Sequence, residues 1–183
     1  MTKTKIDDLL EFPKDVQVNI NDEILTFKGI KGEVSRNFRD KDISIKKEEE
    51  EKLRITCENA TKREKARLYS YKAHIKNMVK GVMEGHTYQL KICSSHFPVN
   101  VSINNNELIV KNFLGEKVPR RLRIKDRGTV KIDGSVIIVD AISKETAGQI
   151  AADIEQLCRI TNRDRRVFQD GIYITNKDGK EVK

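Results

Sequence analysis

VNVSINNNELIVKNFLGEKVPRRLRIKDR, Val99 to Arg127, decides how the chain is read, because it combines two strand patterns, a glycine-containing turn and the densest positive charge in the 183 residues. It also occurs twice. Slid along itself without a gap, the chain pairs Val16, Val18, Ile20, Leu25, Lys28, Gly32 and Glu33 with Val99, Val101, Ile103, Leu108, Lys111, Gly115 and Glu116. Both copies read as a hairpin followed by a short connection. An internal repeat of nearly half the chain predicts two tandem domains, 1–82 and 83–183, instead of one large one. Each buries only a modest core, so packing against a neighbour is expected to supply part of the stability.

Around that stretch, charge is the most informative property. The formal net charge is +8, with 36 basic and 28 acidic residues and a pI near 9.3, a balance that favours a polyanionic partner. Each half carries +4, so neither is simply a basic arm, but Lys111 to Arg127 holds seven basic residues against Glu116 and Asp126. That is a patch. No apolar run approaches the roughly 18 residues of a membrane span. The opening MTKTKIDDLLEF lacks the apolar segment of a secretory signal, so secretion is not expected. Cys57, Cys93 and Cys158 are odd in number and widely spaced, which fits reduced thiols in the cytoplasm.

Read in order, Met1 to Lys14 is a polar tail without a clear destination. Val16, Val18 and Ile20 alternate with polar residues, Asn21-Asp22 supplies a turn, and Ile24 to Lys28 returns. Gly29 and Gly32 punctuate a tight connection, and Gly29-x-x-Gly32 alone is a weak signal for phosphate cradling. Further strands are expected at Val34–Phe38, from Ile43 and from Leu53, with the charge run Lys46 to Lys52 as a solvated hairpin tip. Between Asn59 and Met83 the period changes: Leu68, Tyr71, Ile75, Met78 or Val79, and Val82 recur at helical spacing. Thr61 with Glu64 three residues on is a capping box, and Gly81 and Gly85 are expected to end the helix, which also joins the halves.

The second half repeats this plan. Thr87–Cys93 reads as an added strand, followed by the hairpin and by Val118–Ile124, where Pro119 argues for an edge or a bulge. Thr129–Ile132 and Val136–Asp140 flank an Asp133-Gly134 turn, and Ser143 caps a helix through Thr161 with a stripe of Ala147, Ile150, Ala151, Ile154, Leu157 and Cys158. The fold class is therefore α+β: two tandem similar domains, each an antiparallel β-sheet with a helix packed on one face, since the helix stripe needs an apolar partner.

Nothing points to catalysis. Asp40 with Asp42, or Asp164 with Asp170, are flanked by Lys or Arg, where ion pairing or capping is the commoner use, and no nucleophile elbow or phosphate-binding loop motif occurs. Cys93 and His96 have a C-x-x-H spacing, but no second pair completes a zinc site, so neither metal nor cofactor is expected. His74 and His86 are isolated, and Cys57 and Cys158 read as buried thiols. Phe27, Phe38, Tyr88, Phe97 and Phe113 sit where core packing is usual, and there is no aromatic platform of the kind that reads single-stranded RNA.

The last third closes the reading. Gln156, Ile160, Arg163, Arg166, Phe168, Asp170-Gly171-Ile172-Tyr173-Ile174 and Lys177 resemble the C-terminal signature of the large-subunit ribosomal protein six family in its archaeal and eukaryotic branch. Lys28-Gly29-Ile30-Lys31-Gly32-Glu33, Ser95-His96-Phe97-Pro98 and Asn112-Phe113-Leu114-Gly115-Glu116-Lys117 agree with it. The resemblance spans roughly Phe12 to Gly179. It implies a non-catalytic ribosomal constituent in the cytoplasm that binds large-subunit ribosomal RNA near the sarcin-ricin loop. Neighbouring ribosomal proteins, and translation factors docking beside it, would be its other partners. The C-terminal domain would make much of the RNA contact. A non-ribosomal nucleic-acid-binding or interaction module with duplicated domains also fits the charge, but leaves the long C-terminal match unexplained.

The RNA-binding candidates follow from charge that neutralises phosphates with little base readout. Lys111, Lys117, Arg120, Arg121 and Arg123 form one set, with Arg121 and Arg123 on one strand face and Arg120 on the other. Arg163, Arg165, Arg166, Lys177 and Lys180 form a second, where arginine forks suit phosphate oxygens and Gly171 would let backbone approach a ligand. Lys91 and His96 are added, His96 as a partner for phosphate or a 2′-hydroxyl.

Overall fold

Alternating apolar residues become paired strands throughout the computed structural model, which describes residues 4–21, 23–49, 52–124, 128–164 and 166–182. The chain divides into two compact units, Met1–Gly85 and His86–Lys183.

Among the described residues the first unit has six strands: β1 (Thr4–Glu11), β2 (Gln17–Asn21), β3 (Ile24–Gly29), β4 (Gly32–Asn37), β5 (Ile43–Glu49) and β6 (Lys52–Ala60). One helix, α1 (Lys62–Met83), follows. The strands sort into two antiparallel three-stranded sheets, β1-β6-β5 and β2-β3-β4, a finer division than the one sheet expected. Leu25, Phe27, Leu53 and Ile55 point inward from them, and α1 covers them with Leu68, Ile75, Met78 and Val82. Tyr71 sits at the margin, edge-on to Phe38 with its hydroxyl 3.3 Å from Asp40 Oδ2. Asp40 and Asp42, considered above as an acid/base pair, instead hold the two ends of the Arg67 guanidinium at 2.8 and 2.9 Å.

The capping box forms. Glu64 accepts the Thr61 backbone N–H at 2.9 Å, and the Thr61 hydroxyl oxygen accepts from Arg63 N–H. At the other end Gly85, at φ 83°, closes the helix by donating its N–H to Gly81 and Lys80 carbonyls, whereas Gly81 stays inside it. The turn between β3 and β4 docks on this end: Lys31 N–H donates to the Val82 carbonyl at 2.9 Å, satisfying one of the acceptors a helix terminus leaves open. A Cβ on Gly29 would lie 2.8 Å from that same oxygen. The Gly29-x-x-Gly32 segment therefore approaches a helix end, not a phosphate.

The second unit contains β7 (His86–Cys93), β8 (Asn100–Asn104), β9 (Glu107–Lys111), a single 3-10 turn (Phe113–Gly115), β10 (Arg120–Arg123), β11 (Gly128–Asp133), β12 (Val136–Ala141), α2 (Lys144–Leu157), β13 (Gly171–Lys177) and β14 (Lys180–Glu181). Its sheets are β10-β9-β8 and the five-stranded β11-β12-β7-β13-β14. Ala147, Ile150, Ala151 and Ile154 of α2 share one core with Leu90, Ile137 and Val139 from one sheet and Leu108 and Val110 from the other. Pro119 precedes β10, which among the described residues pairs only with β9 and so is an edge strand.

Four expectations are corrected. The Met1–Lys14 tail contains β1, whose residues pair with β6 in the register Leu10 to Leu53. Strand β7 is then not an addition, because β1 and β7 take equivalent places in the repeat, each preceding its hairpin; the additions are β13 and β14. The two-residue turn before β12 is Gly134-Ser135, since Asp133 pairs with Val136 and it is Gly134 that takes φ 56°. Helix α2 ends at Leu157, not Thr161, and its N-cap Ser143 makes no side-chain cap bond. Asp22 of the first turn, and Glu50 and Glu51 of the charge run, lie outside the described residues.

The turn against α1 is testable. Gly29→Ala must move the β3–β4 turn off the helix end, and a loss of about 1–3 kcal/mol of stability in the first unit is expected, read as a lower urea midpoint with an unchanged m-value.

Candidate nucleic-acid interface

Register settles which cations share a face. Across β10, β9 and β8, Arg121 lies opposite Ile109 and that opposite Ser102; Arg123 opposite Glu107 and that opposite Asn104; and Lys111 opposite Asn100. Leu108 and Val110 point the other way, into the core. Lys111, Arg121 and Arg123 therefore stand together on the outer face of this sheet, all exposed, with Glu107 as its acidic residue. The equivalent face of β2-β3-β4 carries Gln17, Asn19, Asn21, Ile24, Thr26, Lys28, Glu33, Ser35 and Asn37, whose formal charges cancel. Lys117 is exposed in the loop before β10, while Lys125 and Arg127 lie outside the described residues.

Arg120 is used differently from its neighbours. Its side chain turns inward, with Nε and Nη2 donating to the two Glu116 carboxylate oxygens at 2.8 and 2.6 Å and Nη1 donating to the Leu157 carbonyl at 2.7 Å. Its Cζ lies 4.4 Å from the Phe113 ring centre. A cation at the C-terminus of α2 thus meets open helix carbonyls and the negative end of the dipole. The hydrogen bonds from Arg120 hold the Glu116 carboxyl below its usual range despite partial burial. All three guanidinium nitrogens are occupied within the domain, so Arg120 positions the strand instead of joining the outer face.

The second cluster is organised by a strand pair. Strand β13 runs antiparallel to β7 with Gly171 opposite Cys93, which sets Asp170 beside the Ser95-His96 loop. Asp170 is 1 % exposed at its side chain and accepts four hydrogen bonds there: Ser95 N–H (2.6 Å), His96 N–H (3.0 Å), Ser95 Oγ–H (3.2 Å) and His96 Nδ1–H (2.6 Å). Burial alone would raise its pKa, but the bonds from His96 and Ser95 outweigh it and hold the carboxyl down at about 2. Among the described residues Asp170 is neither an acid/base partner of Asp164 nor an ion-pair partner of a Lys or Arg. It is the anchor of the loop.

His96 stacks on Phe168 with centroids 4.6 Å apart and an interplanar angle of 24°, and Arg163 places its Cζ 4.8 Å from the same ring. These residues belong to stretches read separately in the sequence, and Phe168 and Asp170 are not among the candidate contacts. The signal was the Asp-Gly-Ile-Tyr run itself, which marks a strand entry with a buried capping acid. Gly171 serves that entry too: a Cβ there would meet the Tyr173 ring at 2.9 Å, so the close approach is internal and not to a ligand. Arg166 forks onto Asp164 at 2.8 Å yet is 90 % exposed, so it remains presented to solvent. Arg165 lies outside the described residues. Lys177 and Lys180 face each other across the exposed β13–β14 hairpin, and Lys91 is exposed on β7 opposite Val136 and Tyr173.

Comparison with known proteins is consistent across the chain. A family model described as ribosomal protein L6 matches residues 12–85 and again 97–171, the two repeats. Large ribosomal subunit protein uL6 of Methanocella arvoryzae is 43% identical over 169 residues, covering 92% of this chain and 95% of its own. The protein of the same name from Methanococcus vannielii is 41% identical, with 93% of both chains covered, and that from Haloquadratum walsbyi 37%, with 97% of both.

Two measurements check the geometry. Arg120→Lys gives up the paired bond to Glu116 and the carbonyl cap, so the second unit is expected to lose about 1–3 kcal/mol in denaturant unfolding, which a glutamate-to-glutamine change at Glu116 should partly reproduce. For Asp170 the folded pKa is depressed, so its contribution is present above about pH 4, the unfolded value, and is lost as pH falls towards 2. The amide proton shifts of Ser95 and His96 should titrate together with a midpoint near the bottom of that window. A midpoint at the ordinary aspartate value would mean that the anchor does not form.

Proposed function

The chain belongs to the ribosomal protein L6 family, and from that membership we propose that it is a non-catalytic constituent of the large ribosomal subunit whose second unit holds folded ribosomal RNA. The observation that carries the choice of unit is the contrast between equivalent sheet faces: Lys111, Arg121 and Arg123 project from one, and the other has no net formal charge. A shared plan with divergent outer faces is what one domain adapted to a polyanion would leave. The cations reach phosphate oxygens, release counterions and set orientation, while the shape of the folded RNA supplies selectivity. Lys117, Lys91, Lys177, Lys180, Arg163 and Arg166 extend the same surface chemistry.

The reading extends to place and partners. The contacted RNA is that around the sarcin-ricin loop, beside the docking site of translation factors, and neighbouring ribosomal proteins supply packing that two small domains do not provide for themselves. The protein works in the cytoplasm as part of the ribosome.

Replacing Lys111, Arg121 and Arg123 together by alanine is expected to leave both units folded, weaken binding to large-subunit RNA and lower the slope of log K against log salt by about 2 to 3. Filter binding over a series of potassium concentrations reads both quantities. Unchanged affinity and slope would take this face out of the interface.

A further inference from the structure

The His96 ring is held from three directions, and the hold decides what its free nitrogen does. The ring stacks on Phe168, its backbone N–H donates to Asp170 Oδ1, and its Nδ1 lies 2.6 Å from Asp170 Oδ2. A buried carboxylate already receiving Ser95 N–H and Ser95 Oγ–H is an acceptor, so the proton between it and the imidazole belongs to Nδ1. With one ring nitrogen donating, the neutral imidazole carries its lone pair on the other, Nε2. No residue among those described gives Nε2 a hydrogen bond, while the side chain is 34 % exposed. The result is a rigid, solvent-reachable acceptor, with the Arg163 guanidinium packed on the same Phe168 ring.

An acceptor has no use for a phosphate oxygen, which offers no hydrogen. It suits a ribose 2′-hydroxyl, the donor that distinguishes RNA from DNA along a folded helix. We propose that His96 is a ribose-reading residue, its Nε2 accepting a hydrogen bond from one RNA 2′-hydroxyl while Asp170 fixes the tautomer and Phe168 the ring plane. The proposal rests on the RNA-binding reading above and divides the labour at this surface: cations meet phosphates and His96 meets sugar. Asp170 is a positioning residue here, acting only through the imidazole. Because the ring is oriented before binding, little side-chain entropy is lost in making the contact.

The test is nucleotide-analogue interference with the full chain and large-subunit ribosomal RNA transcribed with sparse 2′-deoxy phosphorothioate nucleotides, the phosphorothioates alone serving as reference. Wild type should show a 2′-deoxy interference position that disappears with His96→Phe, which retains a ring against Phe168, while the remaining positions are unchanged. Asp170→Asn should weaken the same position, since an amide NH2 in place of Oδ2 donates to Nδ1 and drives the proton to Nε2, leaving the 2′-hydroxyl only its acceptor role. Each variant should bind about three- to tenfold more weakly, the worth of one hydrogen bond. Identical maps for wild type and both variants, or loss of a position seen with phosphorothioate alone, would overturn the ribose assignment and leave RNA binding standing. Failure of wild type to bind the RNA at all would sink both readings. Should either variant fail to fold, long-range 1H–15N spectra of the wild-type imidazole decide the matter directly. Protonated Nδ1 with unprotonated Nε2 is expected, and a proton on Nε2 would refute the proposal.

Discussion

The pairing of β13 with β7 is the constraint on which the second unit depends. In the first unit β1 occupies the place of β7 and remains the edge of its sheet, with β6 on one side only. In the second, Gly171–Lys177 closes that edge, so β7 becomes the middle of five strands and its Leu90 is flanked by Ile137 on one side and Ile174 on the other. Closing it joins the first strand of the unit to a segment near its end, an entropic cost that has to be met by what the pairing brings together. Ile172 and Ile174 enter the core beneath α2, and Asp170 arrives beneath the Ser95-His96 loop. A buried carboxylate is tolerated only when its lone pairs are filled, and the four donors around Asp170 meet that demand while ordering a loop whose Phe97 stays exposed.

The same reasoning separates three nearby arginines. Strand alternation sends Arg120 one way and Arg121 the other, and the consequences of the two directions differ. Inward, a guanidinium is expensive unless its donors are taken up; Glu116, the Leu157 carbonyl and the face of Phe113 do so, and the sum ties β10, the preceding loop and the end of α2 into one piece. Outward, Arg121 and Arg123 keep their hydration until a polyanion replaces it. Positive charge in this stretch is therefore of two kinds, one consumed by the fold and one available to a partner. The first holds the second in place.

Much of this architecture was legible in the residues. The internal repeat, both hairpins, the Thr61 capping box and the α1 stripe follow from local chemistry that tertiary contacts reinforce. What escaped reading lacked local signals. Thr4–Glu11 contains Asp7, Asp8 and Glu11, and its polar residues hide a strand whose apolar positions, Leu10 above all, count only once β6 lies beside it. Strand β13 follows directly on a run of charged residues, and the arginines of that run mask the alternation that begins at Gly171. At the candidate site the exposed cations were found by composition. The Asp170–His96–Phe168 assembly was not, because His96 comes from the start of the unit and its partners from near the end, and no spacing rule links them. The inward bonds of Arg120 are not legible although its strand face is, since nothing in sequence shows that α2 ends within reach of it.

The duplicated plan explains why such departures concentrate in the second unit. Both units solve the same packing problem with two sheets and a helix, so residues serving the core are constrained alike in each, as Leu25 and Leu108, or Leu10 and Ile92, illustrate. Positions that point outward are free to diverge, and there the two part company: Thr26 and Ser35 in one, Ile109 and Arg121 in the other. Charge added to an outer face costs little while it is hydrated, whereas order added to a loop must be anchored in the interior. That asymmetry is why the cations of the second unit sit on a surface common to both units, while the His96 loop required a new strand and a buried acid to hold it.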